Sequence, residues 1–100
     1  MIRGTTPTHT FEVPVDTASI KSVRITYAQG RNIVLTKQTE DCTMQDGTIT
    51  VTLTQQETLR FAESTNVGIQ LRVLMDDGLA LSTSVMYVTV GACLDNEVIE

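Results

Sequence analysis

One hundred residues with 41% hydrophobic side chains are enough to close one core and too few for two. A net charge of -5, with only seven Lys and Arg scattered along the chain, excludes the clustered basic surface that nucleic-acid binding draws on. No apolar run approaches the roughly 18–20 residues that span a bilayer, and the strongest, Val85–Val90, is interrupted by Tyr87 and Thr89, so no membrane partner is expected either.

The chain opens "MIRGTTPTHTFEVPVD". A removable leader needs a basic start followed by roughly 7–15 apolar residues, whereas Arg3 is followed by Gly4, Thr5, Thr6, Pro7 and Thr8, so the opening does not read as one. In an extended chain His9, Phe11, Val13 and Val15 share one face. Pro7 and Pro14 bracket them as an edge strand would be bracketed, because proline lacks the ladder donor. Ile2–Thr6 are expected to stay free to reach a neighbour, and removal of Met1–Thr6 to leave the fold intact.

Val23, Ile25 and Tyr27 then form an inward row opposite Ser22, Arg24 and Thr26, and Ile33–Thr36 returns after the turn "QGRN" as a hairpin. Asp46-Gly47, between "DCTMQ" and "TITVTLT", is a strong hairpin signal, since a two-residue type I′ turn needs positive φ at both positions. Ile49, Val51 and Leu53 alternate with threonines whose branched Cβ suits an extended, solvent-facing position. In "TQQETLRFAES", Thr54 and Glu57 have the spacing of a capping box, which predicts a short helix over residues 55–62 with Leu59 and Ala62 turned inward.

Val67, Ile69, Leu71, Val73 and Met75 alternate as a central strand. Asp77-Gly78 repeats the Asp-Gly device, and Leu79–Val90 follows as one strand. That strand is apolar on both faces: Ala80, Met86, Val88 and Val90 oppose Leu79, Leu81, Val85 and Tyr87. Two apolar faces call for two partners. In the acidic tail "LDNEVIE" only Val98 and Ile99 offer anchors.

About seven strands with turn signals every 8–12 residues or so predict a single all-β domain over residues 1–100, an immunoglobulin-like antiparallel β-sandwich with one short helix. It lacks the tryptophan and inter-sheet disulfide of antibody domains. Cys42 and Cys93 are expected to stay reduced in a cytosolic or cytosol-assembled protein.

Little of the sequence points to chemistry. His9 is the only histidine and has no visible orienting partner, so a structural place beside Phe11 outweighs general-base work. Glu40-Asp41, Asp46, Asp76-Asp77 and Asp95-Glu97 fall mostly at turns, where Asp bonds its own backbone, and "DDG" lacks the alternating ligands of a calcium loop. Neither cysteine has zinc-ligand spacing, and no glycine-rich loop precedes a helix. The expectation is no enzyme, no cofactor and no metal, with contact to other proteins as the function.

"IRGTTPTHTF", "SVRITYAQ", "DCTMQDGTITVTLTQQET" and "IQLRVLMDDGLALSTSVMYVTVGACL" together carry a resemblance over nearly the whole chain. The sequence resembles short proteins encoded among the tail and baseplate genes of bacteriophages and prophages of Gram-positive bacteria. More distantly it is similar to the immunoglobulin-like N-terminal domain of phage upper-baseplate proteins, which docks a longer adhesion component onto the tail. The resemblance implies a non-catalytic virion or assembly component, present in the host cytoplasm during assembly and then in the particle. Its partners would be other tail or baseplate proteins or further copies of itself. With nothing after Glu100 to form a stalk or receptor-binding head, direct host recognition is not expected. The contact residues expected from the opening and the two-faced strand are Ile2, Arg3, Thr5, Met86, Val88 and Val90. The alternative is a small ligand- or glycan-binding adhesion module using the Gln29–Asn32 and Asp76–Gly78 loops.

Overall fold

The computed structural model describes all residues from Met1 to Glu100. Eight strands form in chain order: β1 (Thr8–Glu12), β2 (Ile20–Gln29), β3 (Asn32–Gln38), β4 (Cys42–Gln45), β5 (Thr48–Thr52), β6 (Asn66–Met75), β7 (Ala80–Ser82) and β8 (Met86–Thr89). A single helical turn, α1 (Gln55–Thr58), joins β5 to β6. Every strand pairing is antiparallel. One sheet has the order β1-β5-β4, and the other β3-β2-β6, with β7 and β8 both on the far edge of β6. This is the immunoglobulin order with its first strand missing: β1, β5 and β4 stand where B, E and D would, facing β3, β2, β6 and β7–β8 in the places of C′, C, F and G.

The two inner faces close on one core, and the period-two rows supply it. Phe11, Ile49, Val51 and Leu53 come from the three-stranded sheet; Val23, Ile25, Tyr27, Leu35 and the Val67–Met75 row come from the other. Each fully buried aliphatic or aromatic side chain contributes about 1.5–3 kcal/mol, so these rows dominate stability.

Four expectations need correction. The helix stops at Thr58, not Ala62. The Thr54–Glu57 capping box forms as the spacing requires, but Thr58 and Phe61 face the interior and Ala62 is exposed. Carrying Phe61 into the core forces the chain into a tight turn, with the Phe61 amide bonding the Thr58 carbonyl. Second, Asp46-Gly47 has positive φ at both residues (51° and 80°) as a type I′ turn demands, whereas in Asp77-Gly78 only Gly78 does (92°). There the Met75 carbonyl accepts from Gly78 N and the Met75 amide donates to Leu79 O, a three-residue loop closed by a glycine bulge.

Third, Leu79–Val90 is not one strand. β7 pairs Val73 with Leu81, while β8 pairs Ile69 with Met86, a register one residue out of step. Because side chains alternate with period two, the bulge at Thr83–Val85 swaps faces. Odd-numbered Leu79 and Leu81 lie on the inner face before it, and even-numbered Met86, Val88 and Val90 after it. The swap gathers Leu79, Leu81, Met86, Val88 and Val90 into one inner row and leaves Ala80, Val85 and Tyr87 on the outer face. The fourth correction concerns the opening segment, described with the site.

Candidate functional site

The groups with the most chemistry meet inside the sandwich. In the three-stranded sheet His9 and Cys42 both stand opposite Val51, so all three share its inner face. From the other sheet Tyr27 pairs with Leu35, and Ile25 with Lys37, which places Tyr27 and Lys37 on the opposing inner face. α1 brings in Glu57 from one end.

His9 Nδ1 lies 2.7 Å from the Tyr27 hydroxyl, and Lys37 Nζ lies 2.8 Å from Glu57 Oε2. Lys37 is only 8% exposed: its methylene stem covers the core and its ammonium reaches out to the helix. The Thr54 amide donates to Glu57 Oε1 at 2.9 Å, so both carboxylate oxygens are occupied. The Cys42 thiol donates to the Gln38 carbonyl at 3.3 Å.

Burial sets the protonation state of His9, Tyr27 and Cys42. Burial, with the terminal ammonium behind it, pushes the His9 imidazole down and keeps it neutral. Burial, reinforced by Cys42 and Glu57, pushes the Tyr27 phenol well above its ordinary value. Burial and then Asp41 push the Cys42 thiol up, against the opposing pull of Lys37. For Glu57, burial alone would raise the carboxyl, but its bonds to Lys37 and to the Thr54 amide outweigh it and hold it low. A protonated thiol, a protonated phenol and a paired carboxylate are poor nucleophiles and poor bases. This constellation ties the two sheets and the helix together. The sequence shows no partner for His9 because Tyr27 is eighteen residues away and on the other sheet.

The opening segment is docked, which corrects the expectation that Ile2–Thr6 are free. Ile2 forms a parallel bridge with Gly91; Gly91 N donates to Met1 O at 2.7 Å and Arg3 N to Gly91 O at 3.2 Å. The Arg3 guanidinium donates to Asn96 Oδ1 at 2.7 Å and to the Leu59 carbonyl at 3.0 Å. The buried Thr58 hydroxyl accepts from Gly4 N and lies 2.9 Å from the Thr5 carbonyl, to which it donates. Of the residues expected to contact a partner, Ile2, Thr5 and Met86 are exposed and Arg3 and Val88 are half-buried. Val90, at 2% exposure, is a core residue and offers no contact surface.

Half of the ten exposed large hydrophobic side chains lie on the β7–β8 edge, and Ile2, Ile33, Leu94, Val98 and Ile99 lie elsewhere. Leu79, Leu81 and Met86 line its inner side and Val85 and Tyr87 its outer side, each more than a third exposed. Beneath Leu81 an apolar groove of about 190 Å³ separates this edge from Val13, Pro14 and Val15 at the end of β1, with Leu71 and Val73 at its floor. On the outer face Val85 and Tyr87 lie over Gly68, where an added Cβ would stand 3.0 Å from Val85 Cγ1.

Comparison with protein-family models, with curated proteins and with solved structures finds no match to this chain. No group of three or more His, Cys, Asp or Glu is placed to hold a metal ion, and no helix is long and apolar enough to cross a membrane.

Proposed function

We propose that this protein is a non-catalytic structural or assembly component of a phage or prophage tail or baseplate, acting through protein–protein contacts. The observation that carries a contact role is the exposed apolar β7–β8 edge, since unpaired backbone groups flanked by apolar side chains recruit another chain. The assignment to a tail or baseplate comes from the sequence resemblance, whose implied sandwich agrees with the fold.

Mass spectrometry of purified particles from an induced host tests the reading. The protein is expected in the particles at a fixed ratio to the tail proteins. Abundance in the lysate with absence from particles would remove the virion component and leave an assembly factor.

One feature favours a second reading, the ligand-binding module. A depression of about 320 Å³ on the outer face of the larger sheet is lined by Thr26, Asn66, Gln70 and Tyr87, the last 69% exposed. Polar side chains beside an open aromatic ring suit a glycan better than the turn loops do. A glycan-array screen of the wild type and Tyr87→Ala separates the two: signal lost in the variant supports the module, and no signal from the wild type rejects it.

A further inference from the structure

We propose that the β7–β8 edge pairs with the same edge of a second copy, antiparallel about a two-fold axis between Thr83 and Ser84. This rests on the reading that the edge is the contact surface, and names its occupant.

Beyond Thr89 the edge is taken by the chain's own opening segment, where Met1 N donates to Thr89 O and Gly91 N to Met1 O. At the other end the Asp76–Gly78 turn closes the strand. Between them Leu79–Val88 bonds only towards β6 and its own turn.

Nothing guards this edge. From Gly78 to Leu94 there is no Asp, Glu, Lys, Arg or His and no proline, in a chain whose residues are 19% charged. Native edges are commonly blunted with charge or proline, and β1 has Pro7, Glu12 and Pro14 for the purpose. A chain of net charge -5 approaches its own copy most readily along a stretch without charge.

Register decides which residues of the two copies meet, because faces and backbone directions must both match. A two-fold axis normal to the sheet keeps inner faces together, so each pair must join residues of the same face. In a regular strand that requires both members to be odd or both even. Here the bulge swaps faces, so a β7 residue must pair with a β8 residue of opposite parity. The pairing that uses the whole free stretch does so: Leu79 meets the partner copy at position 88, Ala80 at 87, Leu81 at 86 and Ser82 at 85.

Backbone direction agrees. Leu79 O and Thr83 N bond towards β6, which turns the N–H and C=O of Ala80 and Ser82 outward; on β8, Thr89 O and Gly91 N point outward, and with them Tyr87 and Val85. Ala80 against position 87 and Ser82 against position 85 therefore join outward-pointing backbones. Inner apolar groups meet inner ones, the small Ala80 lies opposite a tyrosine, and the result is an isologous interface.

Sedimentation of the full chain over a concentration series, with hydrogen exchange on the same samples, tests this. The wild type is expected to dimerise, with amides of Ala80, Ser82, Val85 and Tyr87 slowing as concentration rises and those of Thr8–Glu12 unaffected. Ser84→Lys and Ser84→Asp, each at an exposed position, set like charges across the axis and weaken self-association by roughly tenfold or more. Mixing the two restores a dimer of one copy each. A wild type that stays monomeric throughout, or a dimer whose protected amides lie elsewhere, overturns the self-pairing. If the same protein is nevertheless found in particles, the contact role stands with a different partner.

Discussion

His9 shows at the scale of one residue how a reactive group becomes a structural one. Its Nδ1, with the ring proton assigned to Nε2, accepts the Tyr27 hydroxyl proton across the core, and burial holds the ring neutral. The folded imidazole titrates below its ordinary value of 6.5, so on acidification the unfolded chain takes the proton first and the folded state loses stability. Glu57 adds a later loss with the same sign: its carboxyl is held below the ordinary 4.5, so its contribution is present above that value and disappears as pH falls through the folded one. Urea unfolding at a series of pH values should show stability falling as pH drops below the ordinary imidazole value of 6.5, with His9→Gln flattening that part of the curve. An unchanged slope in the variant would mean that the ring is solvated like a surface histidine.

The turns and the bulge carry the argument at the scale of elements. Asp46 and Gly47 both take positive φ, and at Gly47 the nearest atom to an added Cβ, Val13 O, stands at an ordinary 3.5 Å. The constraint there is backbone conformation rather than space. Gly47→Val is expected to cost about 1–2 kcal/mol in equilibrium unfolding, and Gly47→Asn less, since Asn visits the left-handed region readily. Equal costs for the two would point to crowding instead. The bulge at Thr83–Val85 has the opposite character: it follows from no single residue, and arises because Leu81 and Met86 must both face the core side of β6 from positions of opposite parity.

For the whole molecule, the ends of the chain decide how one end of the sandwich closes. Met1–Gly4 bonds to the end of β8 and to the turn after α1, while Ile99 exchanges two backbone bonds with the Gln55 side chain. Removing Met1–Gly4 gives up several of these bonds and the packing of Met1 on the core. With each net bond worth about 0.5–1.5 kcal/mol, the loss should lower the melting temperature by roughly 10 °C or more. Calorimetry checks this, and an unchanged transition would show that the docked segment adds nothing.

The core strands were legible because burial of one face imposes a period of two on the order of apolar and polar residues: Val67–Met75, Ile49–Leu53 and Val23–Tyr27 all lie where their alternation puts them. The capping box at Thr54 and the Asp46-Gly47 turn were legible too, since each is a bond or a dihedral requirement satisfied within four residues. The sequence by itself thus determined an all-β sandwich, its main turns and its interior. Only the tertiary structure decided what depends on residues distant in the chain: the His9–Tyr27 and Lys37–Glu57 contacts, the docking of Met1–Gly4, and the face swap in β7–β8. Local pattern reports which side of a strand is apolar, but which strand, helix or terminus covers it is set by the other sheet and by the path of the chain between them.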